Sequence, residues 1–251
     1  MIKKFGIVLA AAIAAGSFLM PARASTVGME LALVVDVSGS IDTTEFNLQM
    51  TGYKNAFNDA AVQNAIAGVN GGVAVALIEF DESQYLTLNW RVLSSATDAS
   101  NFATAIGAAP RQGSGNTGVG DAIAYAANQI LNANAYDGAK KVIDVSGDGS
   151  TNTGSDAKTA GNNAIAGGID QINGLPILGS ETNLDVWYKN NVQNGAGSFT
   201  LVANSFSDFD AAIKQKIVAD ITGVPLPPAV WTGLATIGLV GLAKLRRVKL
   251  T

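Results

Sequence analysis

Apolar and polar positions along the chain follow two rhythms. Short continuous apolar runs recur: Leu31-Ala32-Leu33-Val34-Val35 ending on Asp36, Val73–Phe80, and Lys141–Ser146. Runs of this length suit strands buried on both faces of a sheet. Tyr85–Val92 predicts a further strand, placed at an edge. Ile172–Leu178 contains Pro176, which assigns it to a sheet edge or a bulge, and Phe199–Val202 reads as a last strand. Between these runs the spacing turns helical. Phe46, Met50, Tyr53 and Phe57 share one face, behind Asp42 and Glu45 at capping-box separation. Helices are also predicted over Asp98–Ala108, after Gly118 with Ala122, Ile123, Ala126, Ala127 and Ile130 inward, and near Asp156–Ala166. A last one starts at Ser207 with Asp210 and turns Phe206, Phe209, Ile213 and Ile217 inward.

Strands and helices therefore alternate, which predicts an α/β fold with a largely parallel sheet between two helical layers. Right-handed crossovers bring successive strand-to-helix loops to one edge of that sheet. No internal repeat and no second boundary interrupts the body, read as one domain over 25–222.

The two ends depart from this pattern. Met1–Ala24 has Lys3 and Lys4, an apolar stretch from Phe5 to Met20, and then Pro21-Ala22-Arg23-Ala24. That is the layout of a cleaved signal peptide over 1–24, with the mature chain starting at Ser25. Over 223–251, Val224-Pro225-Leu226-Pro227-Pro228 leads into apolar Ala229–Ala243 and then Lys244-Leu245-Arg246-Arg247. The apolar part is shorter than the roughly 20 residues of a spanning helix, and Lys244 can extend it by snorkelling. The basic end stays cytoplasmic by the positive-inside tendency. Both ends together predict export, then arrest in the membrane with the body outside. The tail resembles the PEP-CTERM class of bacterial sorting signals, with Val-Pro-Leu-Pro-Pro where the name-giving motif has Pro-Glu-Pro. That resemblance implies a membrane sorting protease, an exosortase, that removes the tail; a plain C-terminal anchor is the alternative.

Composition narrows the chemistry. The 251 residues include no cysteine and no histidine. Disulfides, thiolate sites and imidazole ligands are thereby excluded, so a bound metal must be held by oxygen. Seven of the 16 basic residues lie in the two ends, which leaves nine in the body against all 20 acidic ones. So acidic a body argues against nucleic-acid binding.

Oxygen donors gather at predicted strand ends. Asp36-x-Ser38-x-Ser40 leaves the first strand, Thr117 stands in the glycine-rich loop Pro110–Gly118, and Asp148 follows the Lys141–Ser146 strand. Taken alone, Ser38 and Ser40 read equally well as helix caps. The set in its order resembles the von Willebrand factor A (vWA) domain and its metal-ion-dependent adhesion site (MIDAS), over about Met29–Ile221. The resemblance implies a three-layer, Rossmann-like fold. It also implies a divalent cation, Mg²⁺ first with Mn²⁺ or Ca²⁺ as alternatives, held directly by Ser38, Ser40 and Thr117 and largely through water by Asp36 and Asp148. A hydroxyl-rich shell leaves the ion electrophilic, suited to a carboxylate offered by a protein or acidic polysaccharide. Asp144, in mid-strand, reads as a hydrogen-bonded buried or edge carboxylate rather than a ligand, while Glu79 and Asp81 read as members of a solvated loop, with an approach to the rim of the site as the alternative.

Two other patterns are decoys. Gly113-x-Gly115-x-x-Gly118 spells a dinucleotide fingerprint but follows a helix and a proline. Asp144-x-Ser146-x-Asp148-Gly149 opens like a calcium loop, yet its twelfth position is Ser155. The functional expectation is a secreted or surface-associated binding module, not an enzyme. A metal-dependent hydrolase and a matrix protein with a non-functional site are the alternatives. Without histidine there is no Ser-His triad.

Overall fold

The computed structural model describes residues 24–179 and 181–224. Short strand β1 (Ser25–Val27) leads into β2 (Met29–Asp36). Helices α1 (Thr43–Asn58) and α2 (Ala60–Ala67) follow, then β3 (Val73–Phe80), β4 (Gln84–Leu93) and α3 (Ala96–Ala108). The second half runs α4 (Val119–Asn132), β5 (Tyr136–Gly138), β6 (Lys141–Gly147), α5 (Ala157–Gly167), β7 (Gln171–Pro176), α6 (Leu184–Asn191) and α7 (Phe209–Thr222). A 3₁₀ turn at Phe206–Asp208 precedes α7.

The main sheet has the order β4-β3-β2-β6-β7. It is parallel except for β4, which pairs antiparallel with β3 at one edge. The alternation of side chains along β2 divides the core in two. Leu31, Leu33 and Val35 point to a layer built with α1, α2, α3 and α7. Ala32 and Val34 point to a layer built with α4, α5 and α6. The α/β class, the parallel sheet and the two helical layers are thus as the pattern predicted. The Asp42–Glu45 capping box is present, with both side chains bonded to backbone N–H groups at 2.8 Å.

Three features differ from the sequence reading. Phe199–Val202 is not a strand: only isolated bridges join Thr200 to Gly174 and Ala203 to Ile177. Pro176 stands between those bridges and has no N–H to continue a ladder. Helices α2 and α6 were not foreseen. Asp59 interrupts the α1 pattern by capping a new helix, its side chain accepting from the Ala61 N–H at 2.8 Å. A two-stranded parallel sheet of β1 and β5 was not foreseen either. The signal peptide and the sorting tail lie, but for a residue or two, outside the described residues. Among the described residues no helix is long and apolar enough to cross a membrane.

Candidate metal centre

β2 and β6 are neighbours, with Val35 level with Ser146. Their carboxyl ends therefore release Asp36 and Asp148 side by side. After Asp36 the chain turns toward α1, and the Asp36 carboxylate accepts the Ser38 N–H at 2.8 Å. The Gly39 N–H donates to the Gly115 carbonyl at 2.8 Å, which draws in the glycine-rich loop. Thr117, the second-last residue before α4, is oriented by Asn152: the Thr117 N–H donates to Asn152 Oδ1 at 2.8 Å.

The structure brings all five sequence-selected residues together. Thr117 Oγ1 donates to Ser38 Oγ at 3.1 Å, Ser38 Oγ meets Ser40 Oγ at 3.2 Å, and Ser40 Oγ donates to Asp148 Oδ1 at 2.7 Å. Asp36 joins through the Ser38 amide. Asp36, Ser38, Thr117 and Asp148 are buried, while Ser40 stands exposed at the mouth. An open cleft of about 460 Å³ lies over the group, lined also by Asn116, Ser150, Asn152 and Glu181. A second cleft, of about 400 Å³, shares Ser40 and Asp148 and runs toward Leu48, Leu178 and Phe206.

The electrostatics call for a positive charge. Burial pushes the Asp36 carboxyl up to about 7; bonds from Ser38 oppose this and the nearby Asp148 adds to it. Burial also raises Asp148, helped by Glu45 and Glu181. Among the described residues neither carboxylate has an ion-pair partner. Asp36 Oδ2 is buried and accepts no hydrogen bond. No three carboxylates gather as metal ligands among the described residues. The donor set is instead two carboxylates with three hydroxyls, all hard oxygens, and it fits a Mg²⁺-type ion.

Glu79 and Asp81 correct the sequence reading. Both are buried, not solvated. Glu79 accepts the Gln112 N–H at 2.7 Å, and one Asp81 oxygen accepts the N–H groups of Ser114 and Gly115 at 3.0 and 2.8 Å. They hold the glycine-rich loop through its backbone amides, a pairing that no periodicity announces. Arg111 was also missed; its trace in the sequence is a lone arginine opening a glycine-rich loop in an acidic body. Asp144 is buried against Lys216 at 2.7 Å, and it is no part of the oxygen group.

Fold and strand order define an α/β domain of the vWA architecture, and solved structures agree. Proximal thread matrix protein 1 of the mussel byssus aligns with TM-score 0.60 at 15% identity, covering 80% of this chain and 48% of that one. The pilus adhesin SpaC from Lactobacillus rhamnosus GG aligns with TM-score 0.56 at 18% identity, covering 80% and 31%. A von Willebrand factor type A protein from Catenulispora acidiphila aligns with TM-score 0.53 at 14% identity, covering 78% and 43%. The chain thus spans half or less of the length of these structures. No curated protein matches it. The chain belongs to the family described as Protein of unknown function (DUF1194), whose model matches residues 26–225.

Proposed function

We propose that this protein is an exported binding module that holds a divalent cation through Asp36, Ser38, Ser40, Thr117 and Asp148. The cation then takes a carboxylate from a protein or polysaccharide partner. The observation that carries this reading is the convergence of five oxygen side chains, linked through Ser38 and Ser40, with one buried Asp36 oxygen left without a partner. Ser38, Ser40 and Thr117 would hold the ion directly, Asp36 and Asp148 through water, with Mg²⁺ preferred over Mn²⁺ or Ca²⁺. When bound, the ion supplies an electrophilic centre with a position open to a ligand oxygen. The chain's part is to fix the oxygens, neutralise the ion and keep one face open to the cleft. The chain has no histidine to serve as a base, and its neighbours in fold include an adhesin and a matrix protein, which favours binding over catalysis.

The relatives in fold support this reading. One is a pilus adhesin and another a byssal thread matrix protein, and a further structure of the thread protein carries zinc in its MIDAS motif. The signal-peptide pattern and the PEP-CTERM-like tail support a location in the bacterial envelope, at the surface or in the extracellular matrix, with membrane attachment before an exosortase would act. Isothermal titration of the purified protein with Mg²⁺, Mn²⁺ and Ca²⁺ tests the proposal. Saturable binding is expected in the wild type and loss of it in Asp36→Ala. Absence of binding to all three ions in a folded wild type would refute it.

A further inference from the structure

The loop that carries Thr117 is tied to the loop that carries Ser38 and Ser40 by one side chain. We infer that Arg111 is a positioning residue of the cation site: it sets where Thr117 stands relative to Ser38, and so sets the cation affinity. The inference rests on the cation-binding reading above. Arg111 lies outside the five-oxygen set and touches none of those side-chain oxygens.

Three hydrogen bonds run from its guanidinium to backbone carbonyls. One terminal nitrogen donates to the carbonyls of Val37 and Ser38, at 2.7 and 2.8 Å. The Nε–H donates to the Gly113 carbonyl at 2.7 Å. The Phe46 ring lies 5.7 Å from the guanidinium carbon, so the first turns of α1 support the group from one side. Carboxylates at the end of β3 hold the same loop: Glu79 holds Gln112, and Asp81, just past the strand, holds Ser114 and Gly115. The loop is therefore gripped from the ends of β2 and β3 at once. Its glycines permit this closeness. A Cβ on Gly113 would fall 2.4 Å from Asp81 Oδ2, and one on Gly39 would fall 2.8 Å from the Ser114 carbonyl.

A free glycine-rich loop loses much conformational entropy when ordered. Here the ordering is already achieved by protein contacts, so Thr117 need not be gathered in by the ion itself. A lysine cannot reproduce the clasp, because it lacks the planar fork that spans several carbonyls. Charge and positioning also act with opposite signs. As a positive charge near the site, Arg111 repels a cation; as a clasp, it strengthens cation binding.

The test titrates Mg²⁺ and Mn²⁺ calorimetrically into wild type, Arg111→Lys, Arg111→Gln, Thr117→Ala and the Arg111→Lys/Thr117→Ala double variant. Arg111→Lys keeps the charge and is expected to weaken binding about tenfold, the scale of a lost supporting contact at a metal site. Arg111→Gln is also expected to weaken it. The double variant should lose less than the sum of its parts, because both changes act through Thr117. Unchanged affinity in Arg111→Lys, tighter binding in Arg111→Gln, or full additivity would each overturn the inference.

Amide hydrogen exchange on the cation-free protein forms a second arm. Arg111→Lys should speed exchange at Ser114, Gly115 and Gly118 while β2 and β3 stay protected. If the wild type binds no cation, the cation reading falls and the link to affinity falls with it. The exchange arm then decides alone whether Arg111 orders the loop, and unchanged exchange rejects that too. Should the arginine variants fail to fold, Asp81→Asn loosens the same loop from the other side and carries the same expectations.

Discussion

Gly147 is where the Asp36 carboxylate and the Tyr188 hydroxyl both come close to one backbone position. A Cβ there would lie 2.6 Å from Asp36 Oδ2 and 2.8 Å from Tyr188 Oη. Both oxygens are buried and neither has a hydrogen-bond partner among the described residues. Burial raises the Tyr188 phenol well above its usual range, and the Asp36 and Asp148 carboxylates raise it further, so it stays a neutral donor. The glycine is required by this close approach, not by an unusual backbone angle. Gly147→Ala is therefore expected to displace Asp36, to destabilise the protein by about 1–3 kcal/mol as overpacking does, and to weaken cation binding. Thermal melts with a calorimetric titration would check both effects; an unchanged melting temperature would contradict the packing argument. Ser146-Gly147-Asp148-Gly149 was visible in the sequence, and Asp148 could be selected from it. The constraint on Gly147 could not, because it comes from Asp36 across the sheet and from Tyr188 on a helix that the pattern did not reveal.

At the scale of elements, α7 is locked to the sheet by charge. Lys216 donates to Asp144 on β6 at 2.7 Å and to both Asp220 oxygens at 3.0 and 3.1 Å, and all three side chains are fully buried. Asn173 on β7 donates to Asp220 at 2.8 Å, and the Phe199 ring lies 4.9 Å from the ammonium. Burial and the neighbouring Asp220 raise the Asp144 carboxyl, and Lys216 opposes them. Removing the lysine leaves two buried acids without a countercharge. Lys216→Met should cost about 3–5 kcal/mol, the scale for breaking one side of a buried pair. Urea unfolding measures it, and a loss below about 1 kcal/mol would show that the acids simply take up protons at little cost. The helix itself was readable from Phe209, Ile213 and Ile217. Lys216 and Asp220 carry no apolar signal in such a pattern, and only the partner on β6 accounts for their burial.

Across the whole molecule, several acids are held in buried positions. Burial pushes Asp36 and Glu79 up to about 7 and also raises Glu30, Asp144 and Asp148. Among the described residues, Asp98 in the first turn of α3 and Asp156 at the N-cap of α5 move down, through hydrogen bonds to Ser95 and Thr159 first. A carboxyl raised in the native state binds more protons there than in the unfolded chain between its two values. Stability therefore falls as pH rises from about 4 to about 7. In EDTA the melting temperature should be higher near pH 5 than near pH 7.5. A bound divalent cation should narrow that gap, because it stabilises the ionised acids of the native state. A melting temperature that rises over this range without cation would contradict the buried-acid picture.

The sequence by itself determined the α/β class, the α1 capping box, the edge placement of β4 and β7, and the five oxygen residues. Each of these is written in local terms: apolar runs, helical spacing, a cap three residues from its partner, and donors next to strand ends. The tertiary structure alone decided that the five residues meet, that Glu79, Asp81 and Arg111 clasp the glycine-rich loop, and that Tyr188 faces Asp36. It also decided that Phe199–Val202 pairs only at isolated points beside Pro176. The reason is physical. Periodicity records which face of an element is apolar, whereas a hydrogen bond between residues dozens of positions apart leaves no periodic trace and exists only once the sheet has set its strand order.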